Sequence, residues 1–229
     1  MITQTAARSA SKVHPAVVMA SQPSDDGASL SSYIDEFATP MSFCANTEIY
    51  GEGEPADYLY KVVSGAVRTC RILADGRRQI GSFYLPGEVF GLEPGDDHTF
   101  SAEAVANSKI LVVKRSALLA LAGRDRAIAS ELWTTTCREL RIAQNHVLLL
   151  IKTAKERVVA FLLEMAERAS SAGQIELPMS RQDIADYLGL TIETVSRTLT
   201  ELARTAAIEL PATRSVVLRN RAALAKLHG

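Results

Sequence analysis

Residues 179–202, MSRQDIADYLGLTIETVSRTLTEL, constrain the fold of this chain more than any other segment. Ser180 suits a helix N-cap, and Asp183 three residues later completes an S-x-x-D capping box. Ile184, Ala185 and Leu188 then share one helical face. Gly189 can take the positive φ that ends a helix, and Leu190 can fill the hollow of the turn. Thr191 caps a second helix whose Ile192, Val195, Leu199 and Leu202 form an inward stripe. That leaves Glu193, Thr194, Ser196, Arg197, Thr200 and Arg204 facing solvent. Small polar residues and an arginine on the first turns of such a helix are suited to reading base edges in a major groove. A plain helical hairpin with a solvated face has the same spacing, so the neighbouring segments decide.

Those segments supply context. Residues 155–169 form an amphipathic helix buried through Val158, Phe161, Leu162 and Met165. A short strand over 174–177 and Pro178 lead into the hairpin. After it, AIELP (207–211) and SVVLR (215–219) flank a turn at 212–214 and predict a two-stranded wing, and Asn220 caps a last helix. Helix, helix-turn-helix and wing make a winged helix over residues 155–229.

Upstream, residues 31–125 read as short strands broken by glycine turns. Runs at 58–63, 66–73, 78–85 and 109–114 alternate or are wholly apolar, and Ser64-Gly65, Asp75-Gly76, Pro86-Gly87 and Pro94-Gly95 punctuate them. Such spacing predicts a sandwich or barrel. From 127 to 154 no glycine or proline occurs, and a heptad seam runs through Trp133, Cys137, Leu140, Gln144, Val147 and Ile151. Leu132, Thr136, Ala143 and Leu150 widen the stripe, so a helix over 126–154 can serve its own domain and a second copy of itself. The fold expected is α+β.

Composition excludes several classes. The formal charge of −1 is not that of a polycation, and it divides mildly: 11 basic and 9 acidic residues from Lys152 onward, 14 and 17 before it. Three scattered cysteines, Cys44, Cys70 and Cys137, argue against a disulfide framework or zinc site and suit a reducing cytoplasm. No apolar run approaches a membrane span. The first thirty residues, rich in Ala, Ser and Thr, lack a signal-peptide core and read as a flexible arm, with a transit segment as the alternative. No paired carboxylates, nucleophile triad or metal cluster suggests an enzyme.

The chain resembles the CRP/FNR superfamily of bacterial transcription regulators, and within it the FixK-type branch. YGEGEPADYLYKVVSGAVRTCRILADGRRQIGSFYLPGEVFGLE resembles the family's cyclic-nucleotide-binding-like β-roll, and ETVSR (193–197) after DIADYLGLT matches the FNR-type E-x-x-S-R pattern. The resemblance implies a homodimer on double-stranded DNA with RNA polymerase as partner. It assigns base contacts to Glu193, Ser196 and Arg197 and a TTGA-N6-TCAA-like palindrome. Arg181, Thr191, Thr194 and Thr200 are candidates for the DNA backbone, and Asp183, near that backbone, for tuning affinity. Members that bind cyclic nucleotides hold the phosphate with Arg-Ser and Gly-Glu pairs; here those positions read Phe100-Ser101 and Gly91-Leu92. Oxygen-sensing members carry an iron–sulfur cluster on four cysteines, which three cannot supply. His98 and His146 stand in no haem-binding constellation. No cofactor or metal is expected, and activity without an effector follows from the branch. A regulator of the same architecture gated by nitric oxide, haem or another ligand is the alternative, and a non-DNA regulatory subunit using the β-roll a further one.

Overall fold

The computed structural model describes residues 29–169 and 173–228. The arm expected over residues 1–30 lies, up to residue 28, outside the described residues. At 30, where strands were expected to follow, a helix begins: α1 (Leu30–Phe37), with the Ser29 hydroxyl accepting from the Ser32 N–H at 3.0 Å. Leu30 and Ile34, four apart, bury one face of it against Val113, Leu118 and Ile128.

Eight strands form the N-terminal unit: β1 (Thr39–Phe43), β2 (Glu48–Tyr50), β3 (Tyr58–Ser64), β4 (Val67–Ile72), β5 (Arg78–Tyr84), β6 (Val89–Phe90), β7 (Ser101–Ala104) and β8 (Ser108–Lys114). They pair as two four-stranded sheets, β1-β8-β3-β6 and β2-β7-β4-β5, antiparallel throughout. Tyr50, Tyr60, Val62, Tyr84, Phe90 and Ile110 fill the space between them. The β3–β4 turn needs glycine. Gly65 has φ +85°, and a Cβ there would lie 2.6 Å from the Asn107 carbonyl.

α2 (Arg115–Ala122) leads to α3 (Arg126–Leu149), a 24-residue helix capped by Asp125, whose carboxylate accepts from Ala127 N–H at 2.8 Å. Only Ile128 and Leu149 of α3 are buried, whereas Trp133, Cys137, Leu140, Gln144 and Val147 face outward. The helix is shorter than the 126–154 expected. Thr153 and Glu156 form a reciprocal capping box that opens α4 (Ala154–Arg168), so Ile151, 84 % exposed, lies in the link beyond α3.

The C-terminal unit consists of α4, β9 (Gln174–Glu176), α5 (Arg181–Leu188), α6 (Ile192–Arg204), β10 (Ile208–Ala212), β11 (Ser215–Leu218) and α7 (Arg221–His228), with sheet order β10-β11-β9. Asn220 caps α7 through Ala223 N–H at 2.8 Å. The two units share apolar contacts. Cys70, Ile80 and Phe83 of the β-roll join Phe161, Met165, Ile184, Tyr187 and Leu199 in one continuous cluster. Phe83 meets Phe161 edge-on at 6.2 Å and Tyr187 at 5.4 Å between ring centres.

Candidate nucleic-acid interface

The hairpin is built by local chemistry that the sequence announces. The Ser180 hydroxyl accepts from Asp183 N–H at 3.1 Å, and the Asp183 carboxylate accepts from Ser180 N–H at 2.9 Å, closing the capping box of α5. Gly189 sits at φ 63° and ψ 41°, and Leu190 N–H reaches Ala185 carbonyl at 3.0 Å. Thr191 caps α6 through Thr194 N–H at 3.2 Å. Val195, Leu199 and Leu202 are buried. Two positions differ from the expected stripe. Ile192 is exposed on the rim, and Thr198 is buried, its hydroxyl satisfied by the Thr194 carbonyl at 2.8 Å. A threonine can take that inward place because the helix backbone accepts its one donor.

The outward face carries Glu193 and Arg197, both exposed, with Ser196 half-buried between them. The Glu193 carboxyl lies below its ordinary range, held by its own backbone N–H and then by the Thr191 hydroxyl; Arg197 is the weakest influence on it. Among the described residues Glu193 and Arg197, four apart on α6, make no ion pair, which leaves the guanidinium fork available to an incoming acceptor. Thr191 and Thr200 are exposed and Thr194 is half-buried at the same end or along the same helix, and the Thr200 hydroxyl donates to the Ser196 carbonyl at 2.9 Å. Arg181, at the first position of α5, is half-buried, and its Nε has no hydrogen-bond partner.

Asp183 stands in different surroundings from those expected. It is 4 % exposed, and its carboxylate accepts from Arg68 Nη1 at 3.0 Å and Arg78 Nη2 at 2.6 Å, both from the β-roll. Two guanidinium groups compensate its charge, and Oδ1 faces the β-roll sheet. Sequence reasoning missed Arg68 and Arg78. The one hint was an arginine inside the run Val67–Cys70, all four of whose residues prove buried. Arg168 was missed likewise. It leaves α4 to contact Glu88 at 2.6 Å and Glu164 at 2.9 Å, and it also donates to the Phe83 carbonyl.

Between the β-roll and α3 lies a cavity of about 550 Å³. Tyr50, Tyr84, Phe90, Leu92 and Phe100 line it with Glu93 and Glu139, and no Arg, Lys or His does. Phe100 lies over Gly81, within 3.0 Å of where a Cβ would stand, and Ser101 Oγ is engaged by Glu52 N–H at 2.9 Å. A buried phosphate needs a guanidinium or backbone donors. This cavity offers rings, the two carboxyls and the hydroxyls of Thr69, Ser82, Thr99 and Thr136, with no guanidinium among its lining residues. Burial raises the Glu139 carboxyl above its ordinary value, and Tyr84 hydroxyl donates to it at 3.0 Å.

Among the described residues no group of His, Cys, Asp or Glu could hold a metal ion. Cys44 and Cys137 are exposed; Cys70 is buried, and burial pushes its thiol up to about 11. His98 is buried with its ring stacked 3.5 Å from Tyr50 and its Nδ1 3.4 Å from Glu93. His146 sits edge-on to Tyr187 at 4.2 Å. No helix among the described residues is long and apolar enough to cross a membrane.

Comparison with known proteins agrees with this geometry. Residues 156–227 match the model of a Crp-like helix-turn-helix domain, and residues 40–125 that of a cyclic nucleotide-binding domain. The nitrogen fixation regulation protein FixK of Azorhizobium caulinodans is 50 % identical over 209 residues, covering 89 % of this chain and 84 % of that protein. FixK of Rhizobium meliloti is 44 % identical over 181 residues, covering 79 % and 82 %. The structure of FixK2 from Bradyrhizobium japonicum superposes with a TM-score of 0.81 at 53 % identity, covering 84 % of this chain and 98 % of that one.

Proposed function

The chain belongs to the CRP/FNR superfamily of transcription regulators, in its FixK-type branch, and on that premise we propose that it reads a TTGA-N6-TCAA-like palindrome as a homodimer without a bound effector. Regulators of this kind bind DNA through the helix-turn-helix and are not enzymes. The observation that carries the finer reading is the exposed face of α6, where Arg197 stands free of a strong partner beside Glu193 and Ser196. Arg197 donates two bonds to O6 and N7 of a guanine, a pairing that discriminates by about 1–3 kcal/mol. Glu193 accepts from a cytosine or adenine amino group, and Ser196 contacts a neighbouring base. Thr191, Thr194, Thr200 and Arg181 meet phosphate and sugar, setting register without reading sequence.

Dimerisation uses the outward seam of α3, where Trp133, Cys137, Leu140, Gln144 and Val147 are exposed, with Ile151 just beyond it. An apolar face of that size on a monomer calls for a partner, and a second copy gives the two-fold symmetry a palindrome requires. Effector-free competence is supported by a cavity with no cationic side chain among its lining residues and by one apolar cluster running through both units. The protein then acts mainly as an activator in the cytoplasm, contacting RNA polymerase, in a low-oxygen or nitrogen-fixation network, the second of which its FixK relatives' names indicate. Gating by an uncharged ligand is the second reading, favoured by the same cavity.

Binding to a fluorescent TTGA-N6-TCAA duplex, aerobically and under reduction with no added effector, tests the proposal. Equal tight binding in both states is expected, and Arg197→Ala is expected to abolish discrimination at the G·C pair. Binding that appears only after a ligand is added would favour gating. Unchanged selectivity in Arg197→Ala would remove that residue from the readout.

A further inference from the structure

A helix cap needs one carboxylate oxygen; Asp183 uses both. Oδ2 closes the capping box, accepting from Ser180 N–H at 2.9 Å and from its hydroxyl at 2.8 Å. Oδ1 accepts from Arg68 on β4 and Arg78 on β5, which lie 115 and 105 residues away in sequence. Each arginine has a second anchor. Arg68 donates through Nε and Nη2 to Glu103 at 2.8 and 2.6 Å, and Arg78 donates through Nε to Asp186 at 2.8 Å, one turn further along α5. Gln182 then holds the other Asp186 oxygen at 2.6 Å. The cluster thus grips α5 at two successive turns from two adjacent strands of one sheet.

Such a grip differs in kind from apolar contact. The apolar surface around Phe83, Phe161 and Tyr187 excludes water but its attraction is non-directional, whereas paired guanidinium forks and carboxylates fix both position and rotation. Buried ion pairs add little net stability over an apolar replacement, and their best-attested use is to specify one arrangement among several. The arrangement at stake is visible. α5 is joined to α6 by three residues around Gly189, and the two helices share their buried faces, so they move as one body. Fixing α5 on the β-roll therefore fixes the recognition helix relative to α3 and to the dimer axis that α3 carries.

We propose that Arg68 and Arg78 are positioning residues for DNA recognition: through Asp183 and Asp186 they set the distance and angle between the two recognition helices, and hence the half-site spacing the dimer accepts. The inference rests on the palindrome reading above. It places part of the DNA specificity on the sensor domain, which touches no base. One base pair of spacer moves a half-site by about 3.4 Å and about a tenth of a turn, so a rigid dimer should reject it and a loosened one should not.

The test measures affinity for palindromes whose spacers are N6, one pair shorter and one pair longer, using full-length wild type, Arg68→Gln, Arg78→Gln and the double variant. A second series replaces the G·C pair in each half-site. Wild type is expected to prefer one spacer by about tenfold, and the double variant by less than about threefold, with the loss on G·C replacement unchanged. Arg78 lies at the rim of the cluster and Arg68 keeps Asp183 without it. Arg78→Gln alone is thus expected to fold and to broaden the profile, and it decides the matter if the double variant does not fold. A sharp wild-type profile with folded variants that keep it overturns the positioning role alone. Wild type without affinity at any spacer overturns the palindrome reading as well.

Discussion

Replacing Asp183 by alanine separates two accounts of its charge. If the carboxylate faced DNA phosphates, removing it would tighten binding at low salt and leave the fold intact. In the structure it faces Arg68 and Arg78, with a side chain 5 % exposed. Loss of a capping side chain costs about 1 kcal/mol. Breaking a buried ion pair by removing one partner costs about 3–5 kcal/mol, because the other charge stays buried and uncompensated. Neither arginine is wholly stranded here, since Arg68 keeps Glu103 and Arg78 keeps Asp186. The lower end of that range applies, and with the lost cap the total expected is about 4 kcal/mol. Asp183→Asn keeps the shape and one acceptor oxygen but sets an amide against two donors, for a loss of about 1–2 kcal/mol. Thermal and urea unfolding of the three proteins at one fixed concentration measures the difference, since a dimer's midpoint depends on concentration. A double-mutant cycle with Arg78→Ala should show coupling of about 1–3 kcal/mol. Binding to the palindrome across a salt series supplies the other arm, where neither variant should gain affinity at low salt. A loss of stability below about 0.5 kcal/mol together with tighter binding at low salt would refute the lock and restore the carboxylate to the DNA side.

Glu139 gives a pH signature with the opposite sign from a salt-bridged acid. Burial raises its folded-state pKa, so its contribution is fully present below the ordinary carboxylate range and is lost as pH rises through the folded value. Glu139→Gln still accepts from Tyr84 and carries no charge. Its midpoint should exceed wild type at neutral pH and merge with it near about pH 4, and a gap independent of pH would refute the assignment. On the α3 seam, Leu140→Asp with Val147→Asp puts two charges on the face proposed to pack against a second copy. Sedimentation should show monomer, with palindrome affinity reduced at least about tenfold; a stable dimer would move the interface elsewhere.

How much of this was legible depended on how far apart in sequence the interacting groups lie. The hairpin, its caps at Ser180 and Thr191, and the Gly189 turn involve partners within five residues, and each follows from local rules. The wing and α4 are legible for the same reason. α3 was legible from its lack of glycine and proline, but its end was overrun, although Thr153 and Glu156 spell a capping box as clearly as Ser180 and Asp183 do. The reason is that the heptad continues through Ile151 after the helix has stopped: an apolar seam marks what is to be covered, not what is helical. α1 escaped because two apolar residues, Leu30 and Ile34, carry its whole buried face. The partners of Asp183 were not legible for a deeper reason. A capping box fully accounts for an aspartate at that position, and nothing local reveals that its second oxygen is engaged. Only the fold, by bringing β4 and β5 across a hundred residues to the start of α5, turns a helix cap into a joint between the unit that could sense and the unit that reads.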